Sequence, residues 1–138
     1  MPDKDYSATP LPKKLGIKEG SSVALLSAHA GFVLSPLPTA ALVRDRAGSR
    51  EDVIVFFATG ASELERRFGW LKRRLDPAGG LWIAWPKKSS SIENDLTFEE
   101  VQRIGLEAGL VDNKSCAIDG DWQALRFVYR LKDRPEEG

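Results

Sequence analysis

Two lysines and three serines follow one another at positions 87–91, directly behind the apolar run Leu81–Trp85 and its closing Pro86. Ammonium groups and hydroxyls at that density can hold a phosphate or carboxylate, the lysines supplying charge and the serines hydrogen bonds. The stretch is not a Walker phosphate loop, because the Gly-x-x-x-x-Gly-Lys-Ser/Thr pattern is absent. Trp85 ends the apolar run and could stack on a ligand held there. His29 is the only histidine and follows the first apolar strand. A lone imidazole can serve as a general base or a ligand contact, and Asp95 or Asp45 could orient it. Lys87, Lys88, Ser89, Ser90, Trp85, His29 and Asp95 therefore form the candidate ligand-binding set. No catalytic residue and no metal ligand is assigned. Cys116 is the only cysteine, which excludes an internal disulfide and any multi-cysteine metal site. As a nucleophile it would need an activating base or field, and Lys114 is the one cation on its face, so it reads as a buried structural thiol.

The elements that must position these residues are legible in order. Residues 1–8 read as a polar arm. Thr9 with Pro10 predicts the start of a short helix that Gly16 ends. Val23–Leu26 reads as a strand buried on both faces, and Pro36 and Pro38 forbid a long helix after it. Ala40–Val43 is a weak strand. Asp52–Ala58, β-branched and aromatic, is the clearest one. Ser62 and Glu65 have capping-box spacing for a helix whose stripe is Leu64, Phe68, Leu71 and Leu75. Pro77 and Gly79-Gly80 predict a turn before the central strand Leu81–Trp85. On that strand Trp82 and Trp85 must face opposite sides, and Trp85-Pro86 is a plausible cis bond. A second capping box, Thr97 with Glu100, opens a helix carrying Val101, Ile104 and Ala108 inward. Lys114–Ile118 and Trp122–Leu131, joined by Asp119-Gly120-Asp121, predict an antiparallel hairpin. Residues 132–138 read as a charged tail, leaving one domain at 9–131.

Bulk properties remove several function classes. The 138 residues are 42% hydrophobic and 29% charged, ordinary for a globular chain. Twenty basic residues cancel twenty acidic ones, which gives no reason to expect nucleic acid or an anionic membrane as partner. The charged amino terminus does not read as a signal peptide, and no apolar run approaches the roughly 20 residues a span requires. A cytoplasmic location is the expectation by elimination.

Strands alternating with helices and closing on a hairpin resemble the fold of S-adenosylmethionine (SAM)-dependent methyltransferases. Leu75-Asp76-Pro77-Ala78-Gly79-Gly80 is similar to the turn before a late strand in those enzymes, and Asp52-Val53-Ile54 resembles their fourth strand. The resemblance implies a glycine-rich cofactor loop after the first strand and an acidic residue after the second. Leu26–Phe32 offers only Gly31, and the acidic residue would be Asp45, beyond Arg44. Side chains at 27–30 are expected to crowd the space that glycines leave open. The expectation is thus no cofactor, SAM included. The chain also resembles a family of small bacterial proteins without assigned activity. That similarity lies in Tyr6-Ser7, Thr9-Pro10-Leu11, Leu15–Lys18, Trp82–Ser90, Asp95–Thr97, Gly109–Lys114, Cys116–Asp119 and Trp122.

The fold expected is α/β and Rossmann-like: a mostly parallel sheet, helices on both faces, a C-terminal antiparallel hairpin, a reduced methyltransferase-like domain. In such sheets ligands bind at the carboxyl ends of the strands. The leading expectation is a non-catalytic domain that binds a small anionic ligand or a protein partner there. The alternative is a divergent SAM-dependent methyltransferase or other small transferase. That alternative requires Lys87, His29 and an acid within reach of one another.

Overall fold

The computed structural model describes residues 9–134, so the arm expected at 1–8 and the last four residues of the tail lie outside the described residues. In chain order the elements are α1 (Leu11–Lys14), β1 (Ser22–Leu26), β2 (Leu42–Arg44), β3 (Glu51–Phe57), α2 (Ala61–Arg74), β4 (Leu75–Pro86), α3 (Phe98–Glu107), β5 (Leu110–Ala117) and β6 (Trp122–Tyr129). A 3-10 turn follows at Leu131–Asp133. The strands form one sheet in the order β2-β1-β3-β4-β6-β5. β2, β1, β3 and β4 pair in parallel, while β6 runs antiparallel to both β4 and β5. The fold is the mostly parallel α/β sheet with a closing antiparallel hairpin that the order of elements predicts.

Its two faces are covered unequally. α2 turns Leu64, Phe68 and Leu71 inward and α3 turns Val101 and Ile104 inward, both onto the face that carries Ile54, Phe56, Ile83 and Trp85. The other face, with Val23, Val55 and Trp82, is closed by Leu15 and Ile17 around α1 and by Leu34 and Phe32 of the β1–β2 connection. Helices on both faces thus holds only in reduced form, because one face has a single helical turn. The missing cover follows from Pro36 and Pro38, which stop a helix from forming in that connection.

Several boundaries differ from the sequence reading. Leu75–Gly80 is not a turn but the first half of β4, where Leu75 pairs with Glu51 and Gly80 with Val53. Three more residues on β4 than on β3 lie between those pairs, so the strand bulges, with Pro77 and Gly79 in the bulge and Gly80 closing it. Gly60, not Ser62, is the N-cap of α2, with no side-chain cap of its own, and Pro10 rather than Thr9 holds that place in α1. Thr97 does cap α3, its hydroxyl accepting from the Glu100 amide at 3.1 Å. The cis bond is Ser35–Pro36, not Trp85–Pro86.

Glu100 is drawn instead to Arg103, whose guanidinium lies 2.7 Å from Glu100, 2.8 Å from Glu107 and 3.0 Å from Glu65 of α2. Hydrogen bonds from Arg103 hold the Glu100 carboxyl below the usual carboxylate range. A depressed folded-state value contributes stability above the ordinary carboxylate range, and that contribution is lost as pH falls through the depressed value. In Arg103→Gln the Glu100 carboxyl is expected to titrate nearer its ordinary range, as followed by carbon-detected NMR. An unchanged titration curve would remove this clasp between α2 and α3 from the account.

Candidate functional site

Beyond Pro86 the chain leaves the sheet at its carboxyl edge, held there by the Lys87 amide donating to Asp121 O at 2.8 Å. The Ser90 amide donates to Lys87 O at 3.0 Å, and the Ser90 hydroxyl accepts from the Ile92 amide at 3.1 Å. The result is a tight turn rather than a floppy loop. It walls a cleft of about 590 Å³, within the range of small-molecule sites. Five of the seven candidate residues line it: Trp85, Lys87, Lys88, Ser89 and Ser90. The opposite wall is the first turn of α3, where Phe98 meets Trp85 edge to face at 6.3 Å between ring centroids.

The other two candidates lie elsewhere. Asp95 accepts from the Ala61 amide at 2.8 Å and donates its own amide to Thr59 O at 3.1 Å. It is the cap that α2 lacks from Ser62, placed where a carboxylate favours the positive end of the helix. His29 lies among Phe32, Phe57 and Trp122, stacked on the last at 6.0 Å. Its Nε2 is 3.4 Å from Asp119 Oδ2 and its Nδ1 is 3.3 Å from Ala30 O. Asp119, not Asp95 or Asp45, is therefore its carboxylate partner. The ring belongs to the Trp122 side of the sheet, whereas the lysine cleft opens on the Trp85 side. Lys87, His29 and an acid do not converge. Cys116 is half-buried, and that burial pushes its thiol up despite Lys14 and Lys114 nearby, which fits a structural role.

A second concavity, of about 440 Å³, sits at the carboxyl ends of β1 and β2, lined by Leu25, Ser27, Ala28, Val43, Arg44 and Asp45. Residues 27–30 read in the sequence as crowding this place. Ser27 instead turns the chain sharply with φ of 60°, a left-handed conformation that glycine normally supplies. Ser27 and Ala28 are small and wall the space without filling it, while Phe32 and Leu34 fold away under the sheet. Asp45 stands immediately beyond β2, at the mouth. The signal that could have found this cavity was the pairing of two small residues after one strand with an acid after the next.

No family model matches the chain, and no curated protein matches it in sequence, so the resemblance to the small bacterial family gains no support. Solved structures do share the fold. A SAM-dependent methyltransferase from Aquifex aeolicus superposes with a TM-score of 0.60 at 18% identity, over 85% of this chain and 86% of that one. The DhpI–SAH complex gives 0.59 at 11% identity, over 88% and 82%. Magnesium protoporphyrin IX methyltransferase from Synechocystis PCC 6803 with bound SAH gives 0.50 at 12% identity, over 68% of this chain and 52% of that one. This chain spans about half the length of that last enzyme. The sheet is methyltransferase-like. The expectation of no cofactor is corrected by these neighbours, two of which hold S-adenosylhomocysteine (SAH) in the same fold. The physical ground for that expectation, a crowded first loop, fails at Ser27 and Ala28. Among the described residues no helix is long and apolar enough to cross a membrane.

Proposed function

We propose that this domain binds SAM at the carboxyl ends of β1 and β2, as a divergent and reduced SAM-dependent methyltransferase. The observation that carries the reading is the 440 Å³ cavity with Asp45 at its rim and only small side chains after β1. The residues present fit a nucleoside. Leu25 and Val43 offer apolar surface for a purine, and the Asp45 carboxylate is an acceptor for vicinal ribose hydroxyls. Ser27 holds the backbone turn open, which lets main chain approach the ligand. When bound, SAM supplies a methyl group on a sulfonium centre. The chain's own part is to bind, to orient and to exclude water.

A second reading is favoured by the larger cleft at Lys87–Ser90. Two ammonium groups beside Ser89 and the aromatic pair Trp85–Phe98 suit a small anionic ligand, or a protein partner that presents one, without methyl transfer.

Thermal unfolding with SAH and with inorganic phosphate separates the two. A ligand at about 100 times its dissociation constant adds roughly 2.7 kcal/mol, which raises the midpoint by several degrees in a domain of this size. SAH is expected to produce that shift in the parent protein and in Lys87→Ala/Lys88→Ala, and to produce none in Asp45→Ala. A phosphate shift that vanishes with the lysines, alongside no response to SAH, would select the second reading. Silence with both probes would sink both.

A further inference from the structure

At the opposite, amino edge of the sheet, Arg126 presents a guanidinium that faces no carboxylate among the described residues. It lies on β6 opposite Trp82 of β4 and Lys114 of β5. Residues in register on neighbouring strands point the same way, so Arg126 projects on the Trp82 face beside a like charge. Its head rests on the backbone of β4 at Gly80, where a Cβ would overlap Nε, Cζ and Nη2. Gly80 thus leaves room for the Arg126 side chain, while Gly79 leaves room for the backbone of Asp52.

The arrangement is costly. Arg126 is half-buried, and burial together with the neighbouring Arg134 works against its charge. Among the described residues its only side-chain hydrogen bond is Nη1 to Asn113 Oδ1 at 3.4 Å, and it joins no ion pair. Arg103, Arg44, Arg50 and Arg67, by contrast, each face a carboxylate. A desolvated charge without a partner is unfavourable, and a guanidinium fork is the side chain best matched to an oxyanion.

The space in front of it is a cavity of about 330 Å³, bounded by Lys18, Glu19, Ser21, Asp52 and Gly79. Lys18 adds a second cation from the α1–β1 loop. Asp52 is turned toward β1, its Oδ2 accepting from the Ser22 amide at 2.8 Å. We propose that this cavity is an oxyanion site in which Arg126 and Lys18 hold the phosphate or carboxylate group of a small molecule. It lies at the other end of the strands from Asp45 and does not depend on the SAM reading.

The test is an NMR titration following the Arg126 Nε–Hε signal and the Gly79 and Gly80 amides. Inorganic phosphate, acetate and chloride are added separately at matched ionic strength. Phosphate or acetate is expected to give a saturable shift at all three positions, chloride none, and the better of the two names the group recognised. Affinity is expected to fall about tenfold in Lys18→Ala, an exposed loop position, and to vanish in Arg126→Gln, the loss of charge-assisted hydrogen bonds. SAH-induced stabilisation should be unchanged in both variants. Equal shifts with chloride, no saturation with either oxyanion, or full phosphate affinity in Lys18→Ala and Arg126→Gln would overturn the site.

Discussion

Trp82→Ala is expected to lower the unfolding free energy by about 3–5 kcal/mol, the range for deleting a large buried aromatic side chain. Trp82 has no exposed surface and stands on the central strand between Val55 of β3 and Arg126 of β6. Its Nε1 donates to Leu15 O at 3.0 Å, across 67 residues of sequence. That bond ties the end of α1 to the sheet, on the face that has no other helix. Removal costs the packing and also leaves a carbonyl orphaned beside Leu15, which is 1% exposed. Trp82→Phe separates the two parts. It keeps most of the volume and loses the donor, at about 1–3 kcal/mol. Urea denaturation with an unchanged slope measures both losses, and faster amide exchange at Leu15 and Ile17 locates the second. Equal losses in the two variants would mean that packing of the ring contributes little. Unprotected amides in the parent protein would mean that α1 is not docked.

The second large effect runs against helix propensity. Glycine to alanine inside a helix ordinarily gains about 1 kcal/mol. Gly105→Ala in α3 is expected to lose about 1–3 kcal/mol instead. A Cβ at that position would overlap the ring of Phe127, which is fully buried on β6 and packs edge to face on Phe68 of α2 at 5.4 Å. Phe68 packs against the ring from α2, which leaves it little room to retreat. Phe127→Leu should lose stability alone yet relieve part of the Gly105→Ala loss when the two are combined. A double-mutant cycle reads this as a coupling between neighbours. A gain in stability from Gly105→Ala, or strict additivity with Phe127→Leu, would show that α3 does not pack closely on Phe127.

Both effects rest on contacts that no local pattern announces. The Gly79-Gly80 pair reads in sequence as a turn signal, because glycine's common use is conformational freedom. Its actual use is space, at Gly80 for the Arg126 side chain and at Gly79 for the backbone of Asp52. Asp95 reads as an acid that could orient His29 in a ligand site, yet it serves as the cap of α2, 34 residues away from its partner in sequence. The acid that faces His29, Asp119, is likewise far from it in sequence. Asp119 reaches it only because β6 inserts between β4 and β5, which sets Trp122 and the hairpin turn at the carboxyl edge, where Trp122 packs on His29 and Phe57.

What the sequence determined by itself is everything with a short period. Apolar runs marked strands β1, β3 and β4. Stripes at helical spacing marked α2 and α3. Thr97 marked a cap, and a spacing of three put Trp82 and Trp85 on opposite faces. These follow from interactions between residues a few positions apart, and the backbone period converts them directly into geometry. The place of the Lys87–Ser90 cleft was also legible, since it follows from which end of a central strand turns polar. Only the tertiary structure decided which side chains share a cavity. It left Ser27 and Ala28 as walls where crowding was expected, gave Asp45 a pocket, and left Arg126 without an acid among the described residues. Those outcomes depend on strand order and on the volumes of residues far apart in the chain. Neither is encoded in any one segment, because each arises only when separate segments compete for the same space.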